Sequence, residues 1–410
     1  MNETPVVPVS RGGVSLRSGL NQAGMAKTRF VLRFVVSVTM TLYIIFLVPI
    51  YILAGLLLAH AETCQGRLFA MAVILGCPAP VMFWIASYLR RKRGILTVAL
   101  ASGMTAVLLL GIDYYLTPEG LPMKGAEVRS CFTGTTAYQR SSMANLVPEM
   151  DQLVLASYVI PTMDRLMDER NTMELRAQIL AVYGEMRCSP KFECLGSVLN
   201  QTYQDLFLRH AAVGHFYEYI PDAPASRRLP VVIFLHGSLG NFRGYLWVWK
   251  RLADEYGFAI VAPTFGAGNW DESGGGDAIE QVRRYCSLHP QMDASRIYLA
   301  GLSNGGRGVC IGARRAPNAY RGLIFISPVL EPEELLTAPF VSAWKDKPIL
   351  LLHGTADNRI PVDYIKEAEQ SIRRLGIPLE SQFYEGQTHF LFFTIRDQVC
   401  GRIGNWLRNN

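Results

Sequence analysis

Charge is scarce in this 410-residue chain. Asp, Glu, Lys and Arg make up 18% of it, against the ~25% of an ordinary soluble domain. The deficit is local. Phe34–Ala59, Leu68–Leu89 and Gly94–Ile112 contain none of these four residues. Each run is long enough to cross ~30 Å of hydrocarbon at ~1.5 Å per residue. Three in close succession exclude a lone signal peptide, which has one short apolar region and a small-residue cleavage site. They are expected to be three transmembrane helices. Because none carries an intramembrane charge, they offer no ion or substrate path, which argues against a transporter. Pro49, Pro78 and Pro80 are read as kinks.

Other absences narrow the function further. There is no internal repeat and no long low-complexity tract, and no Cys/His spacing matches a zinc site. The Gly-rich stretch Ser273–Asp277 lacks the Lys-Ser/Thr of a phosphate-cradling P-loop and is read as a flexible rim loop. Trp270, just before it, is read as a pocket wall or as a packing aromatic. No cofactor, no metal and no nucleic-acid partner are expected.

The basic residues set an orientation. Arg11, Arg17, Lys27, Arg29 and Arg33 precede the first apolar run, and Arg90–Arg93 follow the second. The loop between the first two runs carries Arg67 offset by Glu62. Cytoplasmic loops retain Lys and Arg, so the N-terminus and Arg90–Arg93 are expected inside and everything after Ile112 outside. Six of the 8 cysteines lie in that outer part, where disulfides are permitted. Cys188 and Cys194 are spaced to close a small loop, while Cys310 reads as a buried thiol.

Four segments result: a cytoplasmic tail over 1–33, three transmembrane helices over 34–112, a connector over 113–213 and a catalytic domain over 214–410. In the connector, Met167, Met173, Leu175, Leu180 and Tyr183 recur at helical spacing. That pattern fits either packing support or a cap over an active site. From Gly214 onward, short apolar runs alternate with helical stretches. Strands are expected at His215–Ile220, Val231–Leu235, Ala259–Ala262, Ile297–Ala300, Leu323–Ser327, Ile349–Leu352 and Ser381–Tyr384. Continuous Val/Ile/Leu strands alternating with helices specify an α/β fold with a mostly parallel sheet covered on both faces.

The chemistry sits at the strand ends. Gly301-Leu302-Ser303-Asn304-Gly305 follows one strand and precedes a helix, the context of a nucleophile elbow. A Cβ at Gly301 or Gly305 would collide across so tight a turn. A neutral hydroxyl needs a base within hydrogen-bond reach. His389 follows the last strand, and Asp357 follows the one before it, giving the order Ser, Asp, His. Asp346 would lie at the wrong end of its strand, and Asp363 on a solvated helix flank. A tetrahedral intermediate needs two N–H donors. One is expected from Asn304, the residue after the nucleophile. The other is expected from Ser238, with Leu239 second, in the loop His236–Gly240. His236 and His353 are read as structural.

From Val231 to Trp406 the chain resembles the esterase branch of the α/β-hydrolase superfamily. It is similar to dienelactone hydrolases, esterase-type polyhydroxybutyrate depolymerases and the catalytic domains of prolyl-oligopeptidase-like peptidases. The matching residues are His236-Gly237, Gly301–Gly306, His353–Asp357 and Thr388-His389. Dienelactone hydrolases carry a nucleophilic Cys at the Ser303 position, and the peptidases carry a β-propeller that has no counterpart here. The resemblance implies an α/β-hydrolase fold with a Ser–His–Asp mechanism. The expected protein is a membrane-anchored carboxylic ester hydrolase facing the periplasm or exterior, acting on a small-molecule or lipid ester. A peptidase or acyltransferase would use the same triad, and a non-catalytic binding protein would keep only the fold.

Overall fold

The computed structural model describes residues 15–89, 92–120, 128–133, 138–224, 227–331 and 335–410. Of the basic residues that set the expected orientation, Arg11, Arg90 and Arg91 lie outside the described residues. The chain divides into two compact units, Met1–Leu58 with Ala70–Leu109, and Ala59–Phe69 with Leu110–Asn410.

The apolar helices run over Ser15–His60, Cys64–Gly76, Ala79–Tyr88 and Arg93–Leu116. Three stretches, Phe30–His60, Cys64–Tyr88 and Arg93–Leu116, are long and apolar enough to cross a membrane by length and composition. The first helix begins well before its apolar run, within the segment expected to be a tail. The break after Gly76 has a local cause. Pro78 has no N–H to give to the carbonyl of Ile74 one turn earlier. The Tyr51 hydroxyl donates to that carbonyl instead, at 2.8 Å, and Tyr43 donates to the Cys77 carbonyl at 2.8 Å. The freed Ile74 acceptor and the Cys77 carbonyl beyond the helix end are thereby both satisfied in apolar surroundings.

The second unit is built on an eight-stranded sheet. Its strands are β1 (Val128–Phe132), β2 (His215–Tyr219), β3 (Leu229–Leu235), β4 (Ala259–Pro263), β5 (Met292–Leu302), β6 (Gly322–Ile326), β7 (Ile349–Gly354) and β8 (Leu379–Tyr384). The spatial order is β1-β2-β4-β3-β5-β6-β7-β8. Strands β3 to β8 are parallel, and β2 is antiparallel to both β4 and β1. This is the α/β-hydrolase fold.

Period-two alternation sends successive side chains to opposite faces. On β3, Val232 and Phe234 enter one core with Leu246, Trp249, Ile403 and Trp406. Val231, Ile233 and Leu235 enter the other with Ile279, Val282, Val309 and Ile365. The helices Arg243–Tyr256 and Arg396–Asn409 therefore cover the first face. The helices Gly275–Leu288, Gly305–Arg315 and Val362–Arg374 cover the second.

Two elements depart from the sequence reading. The connector is helical at Met143–Leu146, Glu149–Val159, Glu169–Met186, Pro190–Glu193 and Leu199–Leu208, but it also supplies β1. That strand extends the sheet, and its Arg129 pairs in register with Glu218 of β2. The helix Ala338–Trp344 was not anticipated; it inserts Phe340 and Trp344 into the second core. The disulfide expectation is corrected: all eight cysteines are free thiols. A helical turn, Pro190–Glu193, separates Cys188 from Cys194. Each thiol contacts a carbonyl near in sequence, Gly184 at 3.7 Å and Lys191 at 3.2 Å.

Candidate active site

Ser303 follows β5 directly and adopts φ = 54°, one of four described non-glycine residues at positive φ. Such strain persists only where the surroundings over-determine it. Here the Ser303 N–H donates to the Ile326 carbonyl at 3.1 Å. Its own carbonyl accepts from Gly306 and Val329, both at 2.8 Å. A Cβ on Gly301 would sit 2.3 Å from the Gly305 oxygen, and one on Gly305 would sit 2.1 Å from the Leu235 oxygen. The elbow therefore requires glycine on both sides.

Three side chains expected from the sequence converge here. His389 Nε2 lies 3.0 Å from Ser303 Oγ, and His389 Nδ1 lies 2.8 Å from Asp357 Oδ2. The Asp357 side chain is fully buried, and its Oδ1 accepts from the N–H groups of Arg359 and Ile360, each at 2.9 Å. Burial pushes the Asp357 carboxyl up. The His389 hydrogen bond and charge, the Ile360 N–H and His353 outweigh it, leaving the carboxyl below the usual carboxylate range.

The loops after β7 and β8 are laced together. Thr355 N–H donates to Tyr384 O, Ala356 N–H to Gln387 O, and Gly386 N–H to Thr355 Oγ1. Gly354 is forced, because a Cβ there would meet the Gln387 oxygen at 2.2 Å. Asp346 and Asp363 are exposed and take no part.

The two residues expected to donate to an oxyanion are also neighbours. Asn304 Nδ2 donates to Ser238 Oγ at 2.9 Å. The Leu239 N–H, the second choice, is already bonded to the Ala267 carbonyl at 2.9 Å. His236 is a strut for this loop. Its Nδ1–H donates to the Gly237 carbonyl at 2.8 Å, and its Nε2 accepts from the Phe265 N–H at 3.1 Å. Burial drives its pKa down to about 4 against the opposing pull of the Gly237 bond, so it is neutral at pH 7. His353 is fully buried and donates from Nε2 to Ile360 O at 3.0 Å. Burial lowers its pKa as well, while Asp357, 3.8 Å away, works the other way.

Two readings near the site are settled by packing. Trp270 is fully buried and donates from its indole N–H to the His236 carbonyl at 2.9 Å, so it packs behind the site and does not form a pocket wall. Ser273–Asp277 is not a rim loop but the entry to a helix. Gly275 and Gly276 are buried, and a Cβ on Gly275 would fall 2.1 Å from the Trp270 oxygen. Among the described residues, no group of three or more His, Cys, Asp or Glu is arranged to hold a metal.

The sequence reading missed how far the connector supports these loops. Glu149 is fully buried. It accepts from the Arg243 N–H at 2.7 Å, from Ser197 Oγ at 2.5 Å and from the Tyr183 hydroxyl. It therefore caps, from another segment, the helix that follows the His236–Gly240 loop. Thr202 and Asp205 hold the loop after β4, bonding Gly266 O at 3.1 Å and Ala267 N–H at 2.7 Å. A cavity of about 270 Å³ in this unit is lined by Gln65, Asn145, Glu149, Arg187 and Arg243, and by none of the converging triad.

Residues 277–394 match a protein-family profile described as phospholipase/carboxylesterase. The matched stretch contains Ser303, Asp357 and His389. The chain is 23% identical over 241 residues to dipeptidyl-peptidase 5 of Porphyromonas gingivalis, covering 46% of this chain and 35% of that one. It is 24% identical over 188 residues to the uncharacterized peptidase YtmA of Bacillus subtilis, covering 37% and 73%. It is 29% identical over 136 residues to the poly(3-hydroxybutyrate) depolymerase of Ralstonia pickettii, covering 27% and 28%. The chain thus spans about a third of the length of the first of these relatives.

Proposed function

We propose that this chain is a serine hydrolase: a membrane-anchored carboxylic ester hydrolase working through an acyl-serine intermediate. The observation that carries the reading is the unbroken relay from Ser303 Oγ through His389 to Asp357, at 3.0 and 2.8 Å. As Oγ attacks the ester carbonyl, its proton passes to His389 Nε2. Asp357 keeps Nδ1–H pointing inward and stabilises the imidazolium. Charge building on the carbonyl oxygen is met by the backbone N–H groups of Ser238 and Asn304. The imidazolium then protonates the leaving alcohol. A water deprotonated by His389 attacks the acyl-enzyme and releases the acid. The substrate is a small-molecule or lipid ester.

Ser303→Ala tests the site. It should lower kcat by ~10⁶ on p-nitrophenyl acetate and abolish labelling by a fluorophosphonate probe, with the fold retained. Turnover near the wild-type rate in a folded variant would rule the site out. A second reading is a serine peptidase, supported by the peptidase names of two relatives. Dipeptide anilides assayed beside acyl esters separate the two.

The anchor reading is supported by three apolar helices with basic residues before the first and after the second. The catalytic half is then extracytoplasmic. A periplasm-dependent reporter fused after Asn410 should be active, and activity of a cytoplasm-dependent reporter alone would invert the topology.

A further inference from the structure

Asp357 owes its orientation to two consecutive N–H groups, and each donor residue is held differently. Ile360 is held from the interior, its carbonyl accepting from His353 Nε2 at 3.0 Å. Arg359 is held from the connector. Its guanidinium donates to Asp164 Oδ2 from Nη1 at 2.9 Å and also from Nη2, across 195 residues of sequence. Beside it, Asn358 Nδ2 donates to the Leu166 carbonyl at 3.3 Å.

The connector side of this contact is a built turn. Asp164 follows the 3₁₀ turn Ile160–Thr162, and its N–H donates to Ile160 O. Its other carboxylate oxygen accepts from the Leu166 N–H at 3.0 Å. Met167 is buried, and Asp168 caps the helix Glu169–Met186 through the Asn171 N–H. Both members of the pair are about a quarter to a third exposed, 27% for Arg359 and 30% for Asp164. An isolated pair so exposed contributes little to stability. A two-pronged contact on the guanidinium of Arg359, whose backbone N–H holds Asp357 Oδ1, acts on geometry instead. Displacement of that kind by ~1 Å can cost up to ~10² in rate.

We propose that Arg359 is a positioning residue for the triad acid and that Asp164 latches it, so the connector completes the catalytic machinery. The proposal rests on Asp357 serving His389 as described above. It accounts for a turn of the connector reaching the acid loop with a fork of charged hydrogen bonds where a simple packing contact would suffice.

A double-mutant cycle on the full chain in detergent tests it, using Asp164→Asn, Arg359→Met and their combination, with Ser303→Ala alongside. On p-nitrophenyl acetate, each single variant should lower kcat about tenfold, with KM within about twofold of wild type. The double variant should be no slower than the worse single one, because the second change removes a latch already open. A purely structural pair would lower the melting temperature without this split between kcat and KM. Single variants at wild-type kcat, or losses that simply add, overturn the latch. If Ser303→Ala keeps its turnover, the site reading falls and the latch with it. If Ser303→Ala is inert while the latch variants are fully active, the latch alone falls.

Discussion

Replacing Asp357 with Asn isolates what the buried carboxylate does for His389. The carboxylate accepts three hydrogen bonds: two at Oδ1 from Arg359 and Ile360 at 2.9 Å, and one at Oδ2 from His389 Nδ1 at 2.8 Å. An amide has one accepting oxygen. Turning its NH₂ toward the two backbone donors would forfeit both of those bonds, at ~1 kcal/mol or more each. The oxygen therefore stays with Arg359 and Ile360, and the NH₂ faces the imidazole. Nδ1 must then accept, which moves the ring proton to Nε2, the nitrogen facing Ser303 Oγ at 3.0 Å. A base already protonated at that nitrogen cannot take the hydroxyl proton. The expected loss in kcat at neutral pH is ~10⁴, or ~5 kcal/mol of transition-state stabilisation. Asp363→Asn, in the first turn of the helix Val362–Arg374 and exposed, should change kcat by less than about twofold. Stopped-flow and steady-state hydrolysis of p-nitrophenyl acetate measure both. An Asp357→Asn enzyme retaining more than about a tenth of wild-type kcat would refute the tautomer argument.

Two further outcomes concern stability. Glu149→Gln leaves one acceptor where the carboxylate served the Arg243 N–H, Ser197 and Tyr183, and removes the negative charge 3.8 Å from the Arg243 guanidinium. The unfolding free energy should fall by ~2–3 kcal/mol, seen as a lower urea midpoint in detergent, and an unchanged midpoint would count against the cap. The pH dependence follows from the buried histidines: burial depresses the folded pKa of His236 from 6.5 to about 4 and that of His215 to about 3, and lowers that of His353. Above ~6.5 both states are neutral and stability is full. Between there and about 4 only the unfolded chain takes these protons, so stability should fall by ~3 kcal/mol for His236 alone, with His215 adding to the loss. The depressed pKa of Asp357 adds a loss only at lower pH, below the unfolded carboxylate value of ~3.9. Urea midpoints at pH 7, 5.5 and 4.5 check the slope, and a flat profile would mean that these histidines are solvated.

Sequence made the catalytic half legible because the physics there is local. Runs such as Val231–Leu235 and Ile349–Leu352 are buried on both faces and have no other stable use. Gly301 and Gly305 mark a turn that admits no side chain. What stayed hidden was made by distant partners. Val128-Arg129-Ser130-Cys131-Phe132 has no aliphatic run and becomes β1 only through register with β2. Glu149, Asp164 and Asp205 look like ordinary surface acids until segments far along the chain supply their N–H donors or their arginine. Trp270 was ambiguous for the same reason, since its partner is the carbonyl of His236.

The edge strand β1 also decides where this protein can be cut. A fragment begun near Gly214 would contain every residue of the Ser303–His389–Asp357 relay and would look complete by alignment. It would also bare the outer rim of β2 over His215–Tyr219, a ready template for another chain. The buried Glu218 would lose Arg129, and the Arg243 helix would lose its borrowed carboxylate. Such a fragment should enter inclusion bodies. A soluble version has to begin ahead of Val128 and carry the whole connector with it.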